Sequence, residues 1–307
     1  MTPATIADVP SHIRETTLFC SGTATLHDIR CRPHDLGCGD DESVVVPSIA
    51  FVRAGVFRKH LAREDHVADV NHVVFFNPEE PYRVSHPLHG GDDCTSIRFA
   101  EGVLREALWV LDRRSVDQGI LRFPVQVLSV PSDAAFLLAA LRRGLRNDGA
   151  DGFAVEEACL ALLDAITAAL GQQHAAKPDR VGPATRIAHR TWTDRTRELL
   201  AAHYAEPLTL EDVARAVSCS PFHLVRVFRR HAGLPIHKYL NRLRLLLSLD
   251  RLAEGADDLT SLALDLGFSS HSHFSHAFRH EFKATPSAFR SGIPRQRLLQ
   301  MSKNLKA

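Results

Sequence analysis

Four histidines fall within ten residues towards the C-terminal end of the chain: His271, His273, His276 and His280. Imidazole can ligate a metal, move a proton or hydrogen-bond a nucleic-acid base. On a helix, His273, His276 and His280 stand at i, i+3 and i+7 and share a face, so three metal ligands are geometrically possible. The neighbouring flank of the same helix carries Ser272, Ser275 and Arg279 beside His276. Hydroxyl, imidazole and guanidinium groups there suit base edges and phosphates. A second set of able residues lies in the N-terminal half: His60, His66, His72, His86, His89, Asp92 and Cys94, with Tyr82 and Arg83. A third, Cys31, His34 and Cys38 in "CRPHDLGC", has thiolate and imidazole ligands at short spacing but lacks a fourth partner. Metal- or thiol-responsive chemistry by these N-terminal groups stands as an alternative reading.

The chain that must position these groups has 307 residues, enough for two domains with a real core. Its net charge of +1 conceals a split. From His189 to Ala307 there are 18 Lys/Arg against 11 Asp/Glu, and the remainder has 19 against 25. The C-terminal third is thus the part suited to a polyanion. No apolar run approaches a membrane span, and the first residues lack the basic and apolar regions of a signal peptide. The expectation is a cytoplasmic chain with no membrane partner. Its six scattered cysteines, none in a Cys-x-x-Cys pair, read as reduced thiols.

Residues 16–130 read as a domain of short strands. "SVVVPSIAFVRAGVF", "HVVFFNPEE" and "CTSIRF" are rich in Val, Ile and Phe, and turn-rich stretches separate them. A helical hairpin follows over 131–172. "SDAAFLLAALRRGLRN" opens on the cap signal Ser132/Asp133, and Val155, Cys159, Leu162, Leu163, Ile166 and Leu170 form an apolar helical stripe. The hairpin either packs on the β-domain or supplies a homodimer surface, and the dimer is favoured because a two-helix hairpin often has apolar surface left over. The stretch "GQQHAAKPDRVGPATR" from Gly171 to Arg186 has two Pro and two Gly, and residues 173–190 read as a linker. Residues 191–292 look helical, and 293–307 form a basic tail.

The helical third contains itself twice. "LTLEDVARAVSCSPFHLVRVFRRHAGLPIHKYL" and "LTSLALDLGFSSHSHFSHAFRHEFKATPSAFR" align Leu224 with Phe274, Phe228 with Phe278, Ser220 with Ser270 and His223 with His273. Each copy reads as a short helix, a tight turn and a second helix, with Ser220 capping one helix and Gly267 at the turn of the other copy. This is the helix-turn-helix pattern. The second copy, "GFSSHSHFSHAFRHEFKATPSAFR", resembles the signature of the AraC/XylS family of transcription regulators. The resemblance implies two helix-turn-helix units joined by a long helix over about 236–254, with two recognition helices entering successive major grooves. His271, His276, Lys283 and Val225 depart from common family residues, so the resemblance does not carry over an operator sequence.

Helical phase then separates core from reading positions. Phe274, Phe278 and Phe282 recur at i, i+4 and i+8 and belong to the core. The candidate DNA contacts are Phe222, Val225, Arg226 and Arg229 in the first copy, and His271, Ser272, Ser275, His276 and Arg279 in the second. Because His273 has the partner His223, a shared structural role is favoured over a metal site, and no metal or other cofactor is assigned. "FFNPEEPYRVSHP" followed by "GGDDCTSIRF" resembles the cupin-like sensor domain that precedes this DNA-binding domain in many family members. That implies a small β-barrel holding an effector, for which Tyr82, Arg83 and His86 are candidates. The expected fold class is α+β: a cupin-like β-barrel, a helical hairpin and an all-α domain with two helix-turn-helix motifs. The expected activity is sequence-specific DNA binding under control of a small-molecule effector, in a non-enzyme acting as a homodimer, with double-stranded DNA and RNA polymerase as partners. A cupin-type metalloenzyme fused to a DNA-binding domain is disfavoured, since the His-x-His pair followed by Glu is absent.

Overall fold

The computed structural model describes residues 12–33, 37–146, 151–174 and 182–292. The expected basic tail lies outside the described residues, as does His34. The fold is α+β. Its N-terminal part is antiparallel sheet, in which β1 (Ile13–Cys20), β2 (Ala24–Cys31), β7 (Asp92–Phe99), β3 (Ser48–His60), β5 (His72–Phe76) and β8 (Val127–Ser129) follow one another side by side. β4 (Asp65–Asp69) and β6 (Arg83–Ser85) pair with β3 away from this path.

The long β3 organises the sheet. Its first half, from Ser48, pairs with β5 and β7; its second half, from Val56 to His60, pairs with β4 and β6. The change of partner follows a register shift between Val52 and Ala54, where the strand bends. Gly55 sits at this bend with φ +80°, and a Cβ there would meet the Gly91 carbonyl at 2.2 Å. Only glycine lets the connection before β7 lie directly on β3.

Two short helices, α1 (Glu101–Trp109) and α2 (Arg113–Asp117), interrupt the stretch expected to be all strand. α1 has no side-chain cap, and its buried residues, Leu104 and Leu108, make a single i, i+4 pair. So short an apolar repeat does not separate helix from strand in sequence. α3 (Ser132–Arg146) and α4 (Gly152–His174) are the expected hairpin. The apolar stripe of α4 has another use than expected. Val155, Cys159, Leu162, Leu163, Ile166 and Leu170 are each at most 2% exposed within the single chain. They are spent on packing against α3 and α1, so the stripe offers no face to a second copy.

The C-terminal part contains α5 (Pro183–Ala202), α6 (Leu210–Ala216), α7 (Pro221–Ala232), α8 (Ile236–Ala253), α9 (Leu259–Asp265), α10 (His271–Phe282) and α11 (Pro286–Arg290). α5 begins inside the stretch read as linker and reaches β3 and β4. The two halves share one hydrophobic core. Phe136 of α3 lies against Phe289, Phe282 and Phe278, with ring centroids 5.0, 5.6 and 6.5 Å apart.

Polar groups cross the same boundary. Asp250 of α8 accepts from Arg53 of β3 at 2.8 Å and from Arg142 of α3, and Asp28 of β2 pairs with both arginines. Arg53 and Arg142 are buried. Tyr239 of α8 donates to the fully buried Asp69 at 2.6 Å, and Asp69 also contacts His72 at 3.0 Å. Arg242 donates to Asn71 and to the Val130 carbonyl, and Arg143 to the carbonyls of Leu252 and Arg290.

Candidate nucleic-acid interface

Each recognition helix is started by a local device. In the first unit, Thr209 and Asp212 form a capping box on α6, and Ser220 caps α7 by accepting from the His223 amide. In the second, Asp258 caps α9, and Ser270 caps α10 by accepting from the His273 amide. Such caps answer the unpaired amides of a first turn, at about 1 kcal/mol each. The turns before the two recognition helices both need a left-handed residue. Gly267 takes it at φ +81°, where a Cβ would meet the Ala205 carbonyl at 2.7 Å; Ser218 takes it at φ +56°. The second turn is one residue longer, with Phe268 folded into the core.

The core faces fall where helical phase put them. Leu224, Val227 and Phe228 of α7 are buried, as are Phe274, Phe278 and Phe282 of α10. The opposite faces are open. On α7, Phe222, Arg226 and Arg229 are exposed and Val225 is half-buried. The Arg226 guanidinium lies 5.7 Å over the Phe222 ring, which holds a mobile cation against an otherwise exposed apolar side chain. On α10, Ser272, His276 and Arg279 are exposed, and the half-buried His271 and Ser275 contact each other at 3.2 Å. α8, which joins the two units, has 18 residues and so spans roughly 27 Å.

The paired histidines take matching places. The His223 ring packs edge-on to Trp192, and the His273 ring edge-on to Phe268 while contacting Ser269. Among the described residues, the α10 histidines bring no three ligand atoms together.

A residue that sequence reasoning missed joins the two units. Arg244, buried in α8, donates to the carbonyls of Tyr204, Gly267 and Glu206 at 2.7, 2.8 and 3.2 Å. Three carbonyls answer a guanidinium that has no carboxylate in this set, and burial holds its pKa down. No periodic signal marks such a residue, because all three partners are distant in sequence.

The effector candidates separate. Tyr82 and His86 are buried inside the β-domain, whereas Arg83 is exposed and pairs with Asp41 at 3.6 Å. Arg83 therefore points away from the interior that Tyr82 and His86 share. Tyr82 donates to Glu42, and burial together with that carboxylate raises its hydroxyl pKa. Lys59, another residue missed in sequence, is fully buried beside the Phe76 and Tyr82 rings, and donates to Phe75 and Gln126 at 2.7 Å. Burial pulls its ammonium down to about 8. Cys31 is not grouped with Cys38, which is exposed and bridges to Ser85. Cys31 points instead towards His86 and Asp92. A small cavity of about 40 Å³ between sheet, α3 and α8, lined by Arg53, His72, Arg142 and Asp250, has room for water rather than an organic effector.

Two tandem helix-turn-helix units with exposed basic and hydroxyl flanks define a DNA-binding domain of double helix-turn-helix type. The comparisons agree. A family described as a helix-turn-helix domain matches residues 213–292. The regulatory protein PocR of Salmonella typhimurium is 31% identical over 122 residues, 40% of this chain and 39% of its own length. The HTH-type transcriptional activator RhaS of Enterobacter sp. is 39% identical over 93 residues, 30% of this chain and 34% of its own. This chain thus spans well under half the length of these relatives. A solved transcriptional regulator with an AraC-type DNA-binding domain, from Chromobacterium violaceum, shares 29% identity over 36% of this chain and 95% of that one, at a TM-score of 0.32. Residues 213–292 of this chain are thus a helix-turn-helix domain. Among the described residues no helix is long and apolar enough to cross a membrane.

Proposed function

We propose that the chain is a sequence-specific, DNA-binding transcription regulator. The observation that carries the reading is the pair of recognition helices, α7 and α10, each capped by serine and each presenting an exposed basic flank beside a buried apolar one. In this reading Arg226 reads a base edge, guanine being the natural partner of its fork. Arg229, Arg279 and His276 contact phosphates or bases, and Phe222 and Val225 offer apolar contact to a thymine methyl. Ser272, Ser275 and His271 supply shorter-range hydrogen bonds.

Regulation would act through the boundary between the halves. Asp28, Arg53, Asp69 and Arg142 of the β-domain and α3 hold Tyr239 and Asp250 of α8, the helix that sets the separation of the two units. A ligand that favours one arrangement of this boundary over another shifts DNA affinity by that difference alone. A homodimer, if formed, would use surfaces other than the buried α4 stripe.

The test is a binding-site selection with the full chain, followed by gel-shift titration. Enrichment of one sequence, lost with Arg226→Ala, is the expected result. Binding that is equal on selected and random duplexes would overturn the reading.

A further inference from the structure

Three ligand-bearing side chains, remote in sequence, meet inside the β-domain. Cys31 ends β2; Asp92 opens β7 directly opposite it in the strand register; His86 stands in the connection between β6 and β7. A sulfur, a carboxylate oxygen and an imidazole nitrogen from these three lie within 4.8 Å of one another, and all three residues are buried. His86 Nε2 is 2.6 Å from Asp92 Oδ1. Cys94, two residues along β7 and so on the same face, donates to Asp92 Oδ2 at 3.0 Å. Among the described residues, His86 is the one potentially cationic group within ion-pair distance of the Asp92 carboxylate.

The backbone is built to bring them together. Gly91, just before Asp92, has φ +70°, and a Cβ there would meet the Cys31 carbonyl at 1.9 Å. Gly55 permits the matching approach from β3. Arg32 ties the two strand ends by donating to the carbonyls of Cys31 and Asp92 at 2.8 and 3.0 Å. Close packing of three backbones, on two left-handed glycines, is a costly way to hold these three side chains unless their placement matters.

The geometry points to a divalent metal site of the zinc class, with Cys31, His86 and Asp92 as its protein ligands. Thiolate, imidazole and carboxylate are the set that a tetrahedral zinc ion takes. With bonds of about 2.0–2.3 Å, ligand atoms would stand roughly 3.3–3.8 Å apart. The observed set closes by about an ångström to reach this, while the short His86–Asp92 hydrogen bond opens, its proton replaced by the ion. The site does not depend on the DNA-binding reading, and it is distinct from the α10 histidines.

The experiment uses the full chain, freed of metal with a chelator and titrated with Zn²⁺ and with Co²⁺ as a spectroscopic probe. One ion per chain is expected, with tetrahedral visible bands and a sulfur-to-cobalt charge-transfer band for Co²⁺. Cys31→Ser and His86→Gln should each weaken binding at least about tenfold. Cys20→Ser should leave the ion's stoichiometry and affinity unchanged. Absence of a stoichiometric ion, or an ion retained equally by Cys31→Ser and His86→Gln, overturns the proposal. Should those variants fail to fold, the wild type decides: cobalt bound without a sulfur band overturns it.

Discussion

Replacing Asp250 by Asn tests the coupling between the two halves most directly. The substitution keeps the volume of the side chain and removes one charge. Asp250 and Asp28 together balance Arg53 and Arg142, whose side chains are only 5% and 3% exposed. After Asp250→Asn, two buried guanidiniums share the single carboxylate of Asp28. Unit charges at this range attract by about 4 kcal/mol at an effective dielectric of 20, but each ion had already given up hydration to be there. Breaking one partner of such a set costs about 3–5 kcal/mol, because the remaining charge stays buried. At roughly 2–4 °C per kcal/mol, the melting temperature should fall by roughly 6 °C or more. The loss should appear in one place first. Asp28, Arg53 and Arg142 all lie on one side of the boundary and Asp250 alone on the other. Calorimetry should therefore show the variant melting in two steps where the wild type melts in one. A control is Asp265→Asn, which removes the exposed pair with Arg251 at 3.6 Å and should cost less than about 1 kcal/mol. If Asp250→Asn matches the control in both temperature and shape of the transition, the charge cluster does not couple the halves.

Other outcomes follow from the same contacts. Arg226→Ala should cost about 1–3 kcal/mol of operator affinity and relax specificity at one base pair, read by gel shift across single-base variants of the selected site. His276→Arg should tighten binding to any duplex and steepen its salt dependence, since it adds a fixed charge. Leu163→Asp should abolish folding rather than merely separate subunits, because the side chain is 2% exposed inside the chain; circular dichroism of a well-folded variant would refute this. Burial holds His72 below the ordinary imidazole value of 6.5, against the upward pull of Asp69. The unfolded imidazole takes up a proton as pH falls through about 6.5 while the folded one does not, so the unfolded state binds more protons. Stability is then whole above about pH 7 and declines as the pH drops below it. Denaturant melts between pH 7.5 and 5.5 check this, and His72→Gln should flatten the decline.

The double helix-turn-helix was legible in the sequence because its determinants are local. Caps such as Ser220 and Ser270, the turn at Gly267 and the Phe274/Phe278/Phe282 period each act within a few residues, and the internal repeat states them twice. The exposed candidates on α7 and α10 followed from phase alone, since a helix with one buried face leaves the other to solvent. Strands such as β3, β5 and β7 were legible for the same reason, by composition and turn punctuation. Tertiary structure alone decided where surplus apolar and polar groups went. The stripe on α4 looks identical in sequence whether it meets α3 or a second chain, and the chain's own packing consumed it. Short spacing drew attention to Cys31 with Cys38, yet adjacent residues of an extended chain diverge. Strand register instead set Cys31 opposite Asp92, with His86 delivered by a glycine-dependent turn. Arg53 with Asp250, Tyr239 with Asp69, and Phe136 with Phe289 join elements more than a hundred residues apart. Such pairs carry no spacing rule; they exist only once the sheet, α3 and α8 have been stacked, because burial is what makes each of them obligatory.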